Sequence, residues 1–152
     1  MIEVVFKTLF AVLWIIYIVI RIPYDKKYKT NQIIRKLNTT GEKVLLMFLY
    51  FGLVLLPLVW VFTTFLNNYK LLLPIWLRIL GVLLAILSLI YFEWIHKTLG
   101  DNWSPTLEIK KEQKLITSGP YKTIRHPMYT QIWIWSFAQI LLFRIQLPDL
   151  LE

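Results

Sequence analysis

Residues 71–92 read LLLPIWLRILGVLLAILSLIYF, with Arg78 as the one charged side chain. A helix of this length covers about 30 Å, the thickness of a bilayer's hydrocarbon core. In lipid the backbone N–H and C=O groups must be satisfied within the segment, so the stretch is predicted to be a membrane-crossing helix. Pro74 falls in its first turn, where a missing N–H costs nothing.

Working outward, residues 44–66 form a second apolar run, and only Asn67, Asn68, Tyr69 and Lys70 separate the two. So short a link makes them an antiparallel helical hairpin, with Pro57 set to kink the earlier helix. Residues 4–20 and 128–147 complete the set. The expectation is an all-α integral membrane helical bundle of about four spans in a single domain, with a polar loop over residues 96–127. The first run has a barely basic start and no small-residue cleavage site before Arg21-Ile22-Pro23, so it reads as a retained span rather than a removed leader. Trp60, Tyr69, Trp76, Tyr91, Trp94, Trp133 and Trp135 fall mainly towards span ends, where amphipathic rings favour the headgroup zone.

Composition agrees: 57% of residues are hydrophobic and 17% charged, far from the balance of a water-soluble domain. The formal charge is +8, and its carriers cluster. Arg21, Lys26, Lys27, Lys29, Arg35, Lys36 and Lys43 follow the first span, while Lys97, Lys110, Lys111, Lys114, Lys122 and Arg125 lie between the third and fourth. The positive-inside rule puts both loops in the cytoplasm and hence the N-terminus outside. Basic loops with interleaved aromatics also occur in nucleic-acid proteins, but those lack repeated membrane-length apolar runs, so no nucleic acid is expected. The chain has no cysteine, which removes disulfides, thiolate ligands and a nucleophilic Cys. Two isolated histidines, and the lack of GxGxxG, P-loop or GxSxG motifs, argue against a metal site and against common soluble-enzyme chemistries.

The densest chemistry runs from His96 to the entry of the last span. Gly119-Pro120 is a turn dipeptide, and Pro127 pushes His126 out of helical geometry while itself suiting the first helical position. A helix N-terminus offers free N–H groups and partial positive charge, so Arg125 and His126 there suit a carboxylate or phosphate, or else anchor the span to headgroups. Tyr121 and Tyr129, with Trp103 and Trp133 near in sequence, offer flat walls for a purine. Glu93 and His96, three apart, share a helix face at the inner end of the third span, consistent with substrate contact or with simple interfacial placement. Arg78 and Arg144, near outer ends, are expected to snorkel to water.

The ordered set Leu99-Gly100, Trp103-Ser104, Leu115-Ile116-Thr117-Ser118-Gly119-Pro120-Tyr121 and Arg125-His126-Pro127-Met128-Tyr129 resembles the isoprenylcysteine carboxyl methyltransferase family and its phospholipid methyltransferase relatives. The likeness is sharp over residues 99–130 and only hydropathic before them. It implies methyl transfer from S-adenosylmethionine to a membrane-embedded, lipid-like or prenylated substrate. By position it implies cofactor contacts at Gln113, Lys114, Leu115, Ile116, Tyr121, His126, Pro127, Met128 and Tyr129. The chain departs from the family at Gln131, where a Gly is usual, and it ends at Leu150-Leu151-Glu152, where the family continues with a returning helix and an Arg- and Glu-rich closing segment. The resemblance therefore leads to the expectation of a shortened form.

A C-terminal carboxylate has a pKa of roughly 3.3–3.7 and is ionised at neutral pH, so its methylation needs positioning rather than a base. Arg125 is the candidate contact for it. An amine acceptor must first lose a proton, which would call on Glu93, His96, Glu108 or Glu112. The reading from another class is a non-catalytic membrane protein whose basic loops bind anionic lipid or a partner.

Overall fold

The computed structural model describes residues 2–30, 33–36, 40–63, 73–106, 108–111 and 114–143. Gln113, Glu112, Arg144 and the 67–70 turn lie outside them. The architecture is the expected all-α membrane bundle, with one short ladder added. Helix α1 covers Ile2–Thr30, strand β1 Ile33–Lys36, and α2 Thr40–Tyr50. A widened turn over Phe51–Leu55 leads from α2 into α3, Leu56–Phe62. Helix α4 covers Ile75–Leu99, strand β2 Glu108–Lys110, and α5 Pro127–Leu142. Three continuous helical stretches, Ile2–Tyr28, Thr40–Phe62 and Ile75–Asn102, are long and apolar enough to cross a membrane. Within the described residues the fourth, α5, reaches 16 residues.

Several boundaries differ from the expectation. The first helix continues ten residues past Ile20, through Pro23, to Thr30. Its 29 residues make roughly 43 Å, more than a hydrocarbon core, so its last turns stand in the interface. An Arg21–Asp25 pair at 3.4 Å, one turn apart, supports that extension. Helix α4 starts at Ile75, with Pro74 as its cap rather than inside its first turn, and it includes His96. The polar loop therefore begins after Asn102.

Pro57 acts as expected on the second span, through an identifiable mechanism. Lacking an N–H, it leaves the carbonyl of Leu53 without its usual partner. The turn just before it is widened, with Leu56 N–H bonding back five residues to Phe51. The Trp14 indole of α1 donates to the Leu53 carbonyl at 3.3 Å. A second tie, Lys7 Nζ to the Thr63 carbonyl at 3.0 Å, lies where a cation suits a helix C-terminus. With Lys7 at Thr63 and Trp14 at Leu53, α1 runs antiparallel to the α2–α3 arm.

Helices α1 and α4 run side by side in one direction. Glu3 meets Arg78 at one end, Tyr17 stacks on Phe92 at 4.3 Å, and Tyr24 meets His96 at the other. Helix α5 returns antiparallel to α4 along the small residues Gly81, Ala85 and Ser88. A Cβ at Gly81 would stand 2.9 Å from Leu141 Cβ, so the glycine is what lets the helices approach. The core gathers on Phe10, with Trp60, Trp135 and Phe143 at 5.7, 6.0 and 5.7 Å. Trp60 and Trp135 thus belong to the core and not to an interfacial belt, whereas Trp76, Trp94 and Trp133 face outward.

Arg78 does not snorkel. It is 6% exposed, pairs with Glu3 at 3.0 Å, donates to the Leu142 carbonyl at 3.3 Å and lies 3.9 Å over the Phe6 ring. One guanidinium joins α1, α4 and the C-terminal end of α5. At the opposite end, β1 pairs antiparallel with β2, Ile33 against Lys110 and Lys36 against Glu108. That ladder ties the two basic loops together and was not expected from sequence.

Candidate functional site

The site is built on the C-terminal end of α4. Leu99 is the last residue of the helix, and Gly100 turns the chain at φ +50°, a conformation that favours glycine. Asn102, two residues on, staples the returning chain: its carboxamide oxygen accepts from Lys114 N–H at 2.8 Å. Its Nδ2 donates to the Leu99 carbonyl at 3.4 Å. Beyond Lys114 the chain exposes Leu115, whose relative exposure of 90% leaves it open to lipid or a ligand. Ile116 is half-buried.

Gly119–Lys122 form a tight helical turn against α4. Gly119 has φ +56°, and a Cβ there would meet Thr98 Oγ1 at 2.7 Å, with Trp94 Nε1 at 3.4 Å. Glycine is needed twice over, for conformation and for contact. Pro120 is buried and Tyr121 half-buried. Burial, with a smaller contribution from the neighbouring Tyr91, pushes the Tyr121 phenol up to about 12. At neutral pH it is therefore a protonated hydroxyl able to donate.

The head of α5 follows the expectation from Pro127. His126 is the non-helical cap at φ −129° and ψ 65°, Pro127 is the first helical residue, and no side chain caps the end. The His126 carbonyl takes Tyr129 N–H at 3.1 Å and Thr130 N–H at 3.4 Å. Pro127 is buried and Met128 half-buried, while Arg125, His126 and Tyr129 are exposed. The His126 and Tyr129 rings lie 5.5 Å apart, inclined by 32°. Helix α5 is held to α4 by Gln131, whose Nε2 donates to Ser88 Oγ at 3.0 Å while Ser88 Oγ donates to the Gln131 carbonyl at 3.3 Å. The departure at position 131 is thus an interhelical hydrogen-bond pair.

Of the residues expected to hold a cofactor, Lys114 is brought to the end of α4 through Asn102, and Tyr121 through the turn on Trp94 and Thr98. His126, Pro127, Met128 and Tyr129 share one helix head. Gln113 lies outside the described residues. Three other residues singled out from sequence are engaged elsewhere. Trp103 is buried against His96 at 5.4 Å and Tyr28 at 6.2 Å, with Arg21 over its ring at 5.3 Å. Glu93 pairs with Lys97 at 2.8 Å, whereas His96 is wholly buried and hydrogen-bonded to the Phe92 carbonyl at 2.9 Å. Two positioning residues escaped sequence reasoning: Asn102, which no local pattern marks, and Thr98, visible only once Gly119 is placed. Among the described residues no group of three or more His, Asp or Glu side chains is placed to hold a metal ion.

Residues 79–147, a little under half of the chain, match the family model described as isoprenylcysteine carboxyl methyltransferase (ICMT). The match takes in α4, the loop and α5, the elements that carry the site. No curated protein matches the chain.

Proposed function

From the match of residues 79–147 to the isoprenylcysteine carboxyl methyltransferase family model, we propose that this chain is an integral membrane methyltransferase that uses S-adenosylmethionine and O-methylates an isoprenylcysteine-like C-terminal carboxylate. The observation that carries the reading is the head of α5, where an uncapped helix N-terminus stands beside exposed Arg125, His126 and Tyr129. That donor set fits the cofactor: the Met128 N–H, open where Pro127 has none and Tyr129 N–H is bonded to the His126 carbonyl, and the helix dipole suit its carboxylate, and the inclined His126 and Tyr129 rings offer flat faces to its purine. When bound, S-adenosylmethionine supplies an electrophilic methyl group on a sulfonium.

The chain's own residues hold and align. Arg125 pairs with the substrate carboxylate, and the protonated Tyr121 hydroxyl donates a hydrogen bond at the α4 wall. Lys114, Leu115 and Ile116, with Gln113 by position, complete the cofactor cradle. The two basic loops, joined through β1 and β2, face the cytoplasm, with the N-terminus outside. An ionised carboxylate needs no base. Of the base candidates for an amine acceptor, His96 is wholly buried, while Glu93 makes only a solvent-exposed pair with Lys97. The burial of His96 supports the carboxylate over a phospholipid amine.

Transfer of labelled methyl to a farnesylated cysteine with a free carboxylate, beside its carboxamide and a lipid amine, tests the acceptor. Label in the carboxylate substrate, released by mild base and lost with Arg125→Ala, is the expected result. Label only in the amine, or in none of the three, would contradict it.

A further inference from the structure

We infer that the polar extension of α1 positions the cofactor segment from a distance: residues 21–28 hold Asp101 and Trp103, the two neighbours of Asn102, and Asn102 holds Lys114. The inference rests on the methyl-transfer reading and adds Arg21 and Lys27 to it as positioning residues.

The chain leaving α4 has little of its own to fix its direction. Gly100 makes the turn at φ +50°, and a Cβ there would meet nothing within 4 Å, so the pivot stands free of packing. One backbone bond, Trp103 N–H to the Gly100 carbonyl at 3.2 Å, closes the turn. The Asn102 Nδ2 reaches back to the Leu99 carbonyl over 3.4 Å, longer than a well-made hydrogen bond. The oxygen of the same carboxamide takes Lys114 N–H at 2.8 Å, twelve residues along the chain. Lys114 opens the Lys114–Leu115–Ile116 stretch of the cofactor cradle, so the direction in which Asn102 points sets where that stretch lies.

Helix α1 supplies what the turn lacks. On one side of Asn102, Asp101 pairs with Lys27 at 3.4 Å. On the other, Trp103 is 3% exposed, with the Arg21 guanidinium 5.3 Å over its ring and the Tyr28 ring edge-on at 6.2 Å. His96 of α4 forms a further wall at 5.4 Å. A ring gripped between two helices cannot turn without losing both, and Asn102, one residue away, is held with it. Arg21, Lys27 and Tyr28 lie beyond the roughly 20 residues that a bilayer asks of a span, and hydropathy gives α1 no reason to continue past Ile20. Holding the turn at residues 100–103 gives it one. An exposed ion pair and a cation–π contact are each small, so the effect on the cofactor segment is graded rather than all-or-none.

The order of these contacts dictates the test. Arg21→Gln with Lys27→Gln releases both flanks through side chains that are 40% and 60% exposed, leaving Trp103 and the core in place. S-adenosylhomocysteine, titrated calorimetrically into the detergent-purified chain, should bind this variant about fivefold more weakly. Asn102→Leu should weaken binding about tenfold, the worth of one well-made hydrogen bond, and Asn102→Asp, which keeps the acceptor for Lys114, should recover most of the loss. All three substitutions together should bind no more weakly than Asn102→Leu alone, whereas independent effects would multiply to about fiftyfold.

The Lys114 amide gives a readout that needs no ligand. With 15N-lysine, and Lys114→Arg to assign the signal, its exchange with deuterium should be slow in the wild type, faster in the Arg21→Gln, Lys27→Gln variant and fastest in Asn102→Leu. Affinities that multiply, or a Lys114 amide that exchanges alike in all variants, would overturn the inference. A wild type that binds no S-adenosylhomocysteine while Lys114 exchange follows the expected order would overturn the methyl-transfer reading, and the cofactor role of the α1 extension with it, so the two failures are told apart.

Discussion

Gly119 sits where two penalties coincide, a left-handed backbone and a Thr98 hydroxyl 2.7 Å from where a Cβ would stand. Gly119→Ala should cost about 1–2 kcal/mol in backbone strain alone. The turn then lifts from Trp94, and S-adenosylmethionine should bind about tenfold more weakly with the helical bundle intact by circular dichroism. The adjacent Tyr121 offers a pH test. Its phenol is raised from 10.0 to about 12, chiefly by burial, so its contribution to stability is complete below pH 10 and is lost as pH rises through 12. The phenolate absorbance of the wild type minus that of Tyr121→Phe should appear near pH 12, and an appearance near 10 would show the ring to be solvated. Both residues were legible as a motif. The helix start at Pro127 was legible mechanistically too, because proline restricts its neighbour regardless of context. His96 was visible only as a residue near the interface, since its burial depends on Tyr24 and Trp103, which reach it from other parts of the chain.

Among the elements, hydropathy located the three helices long and apolar enough to cross a membrane and missed their polar ends. Residues 21–30 read as loop because the apolar run stops at Ile20 and Pro23 signals a break, yet the helix persists, with Tyr24 and Tyr28 packed on His96 and Trp103. The β1–β2 ladder was illegible because each strand is too short for an alternating pattern and the two are about seventy residues apart. Arg78 shows the same limit: position suggested an outward anchor, while its partner Glu3 lies 75 residues away. Removing that arginine leaves Glu3 and the Leu142 carbonyl without their donor. Arg78→Leu should lower stability by about 3 kcal/mol, the low end for breaking a buried pair, because Glu3 is a fifth exposed. Denaturant unfolding in detergent measures it, and Glu3→Gln should retain a hydrogen bond to Arg78 and lose less.

Across the whole molecule, α1 and α4 run one way and α5 the other, which brings Arg21, Lys27, Lys97, Lys114, Lys122 and Arg125 to one end and Glu3, Lys7 and Arg78 to the other. Because the chain has no cysteine, single substitutions report sidedness cleanly. Cysteine at Lys26 and at Lys122 should be labelled from the cytoplasmic side by an impermeant maleimide, and cysteine at Phe62 should not. Labelling of Lys26 and Lys122 positions from opposite sides would contradict the shared end on which the site is built. If the head of α5 holds S-adenosylmethionine, calorimetric titration of the cofactor into the detergent-purified chain will register its binding. Saturable binding that is lost in a His126→Ala, Tyr129→Phe double variant is the predicted result. No binding by the wild type, or equal binding by the folded double variant, would contradict it.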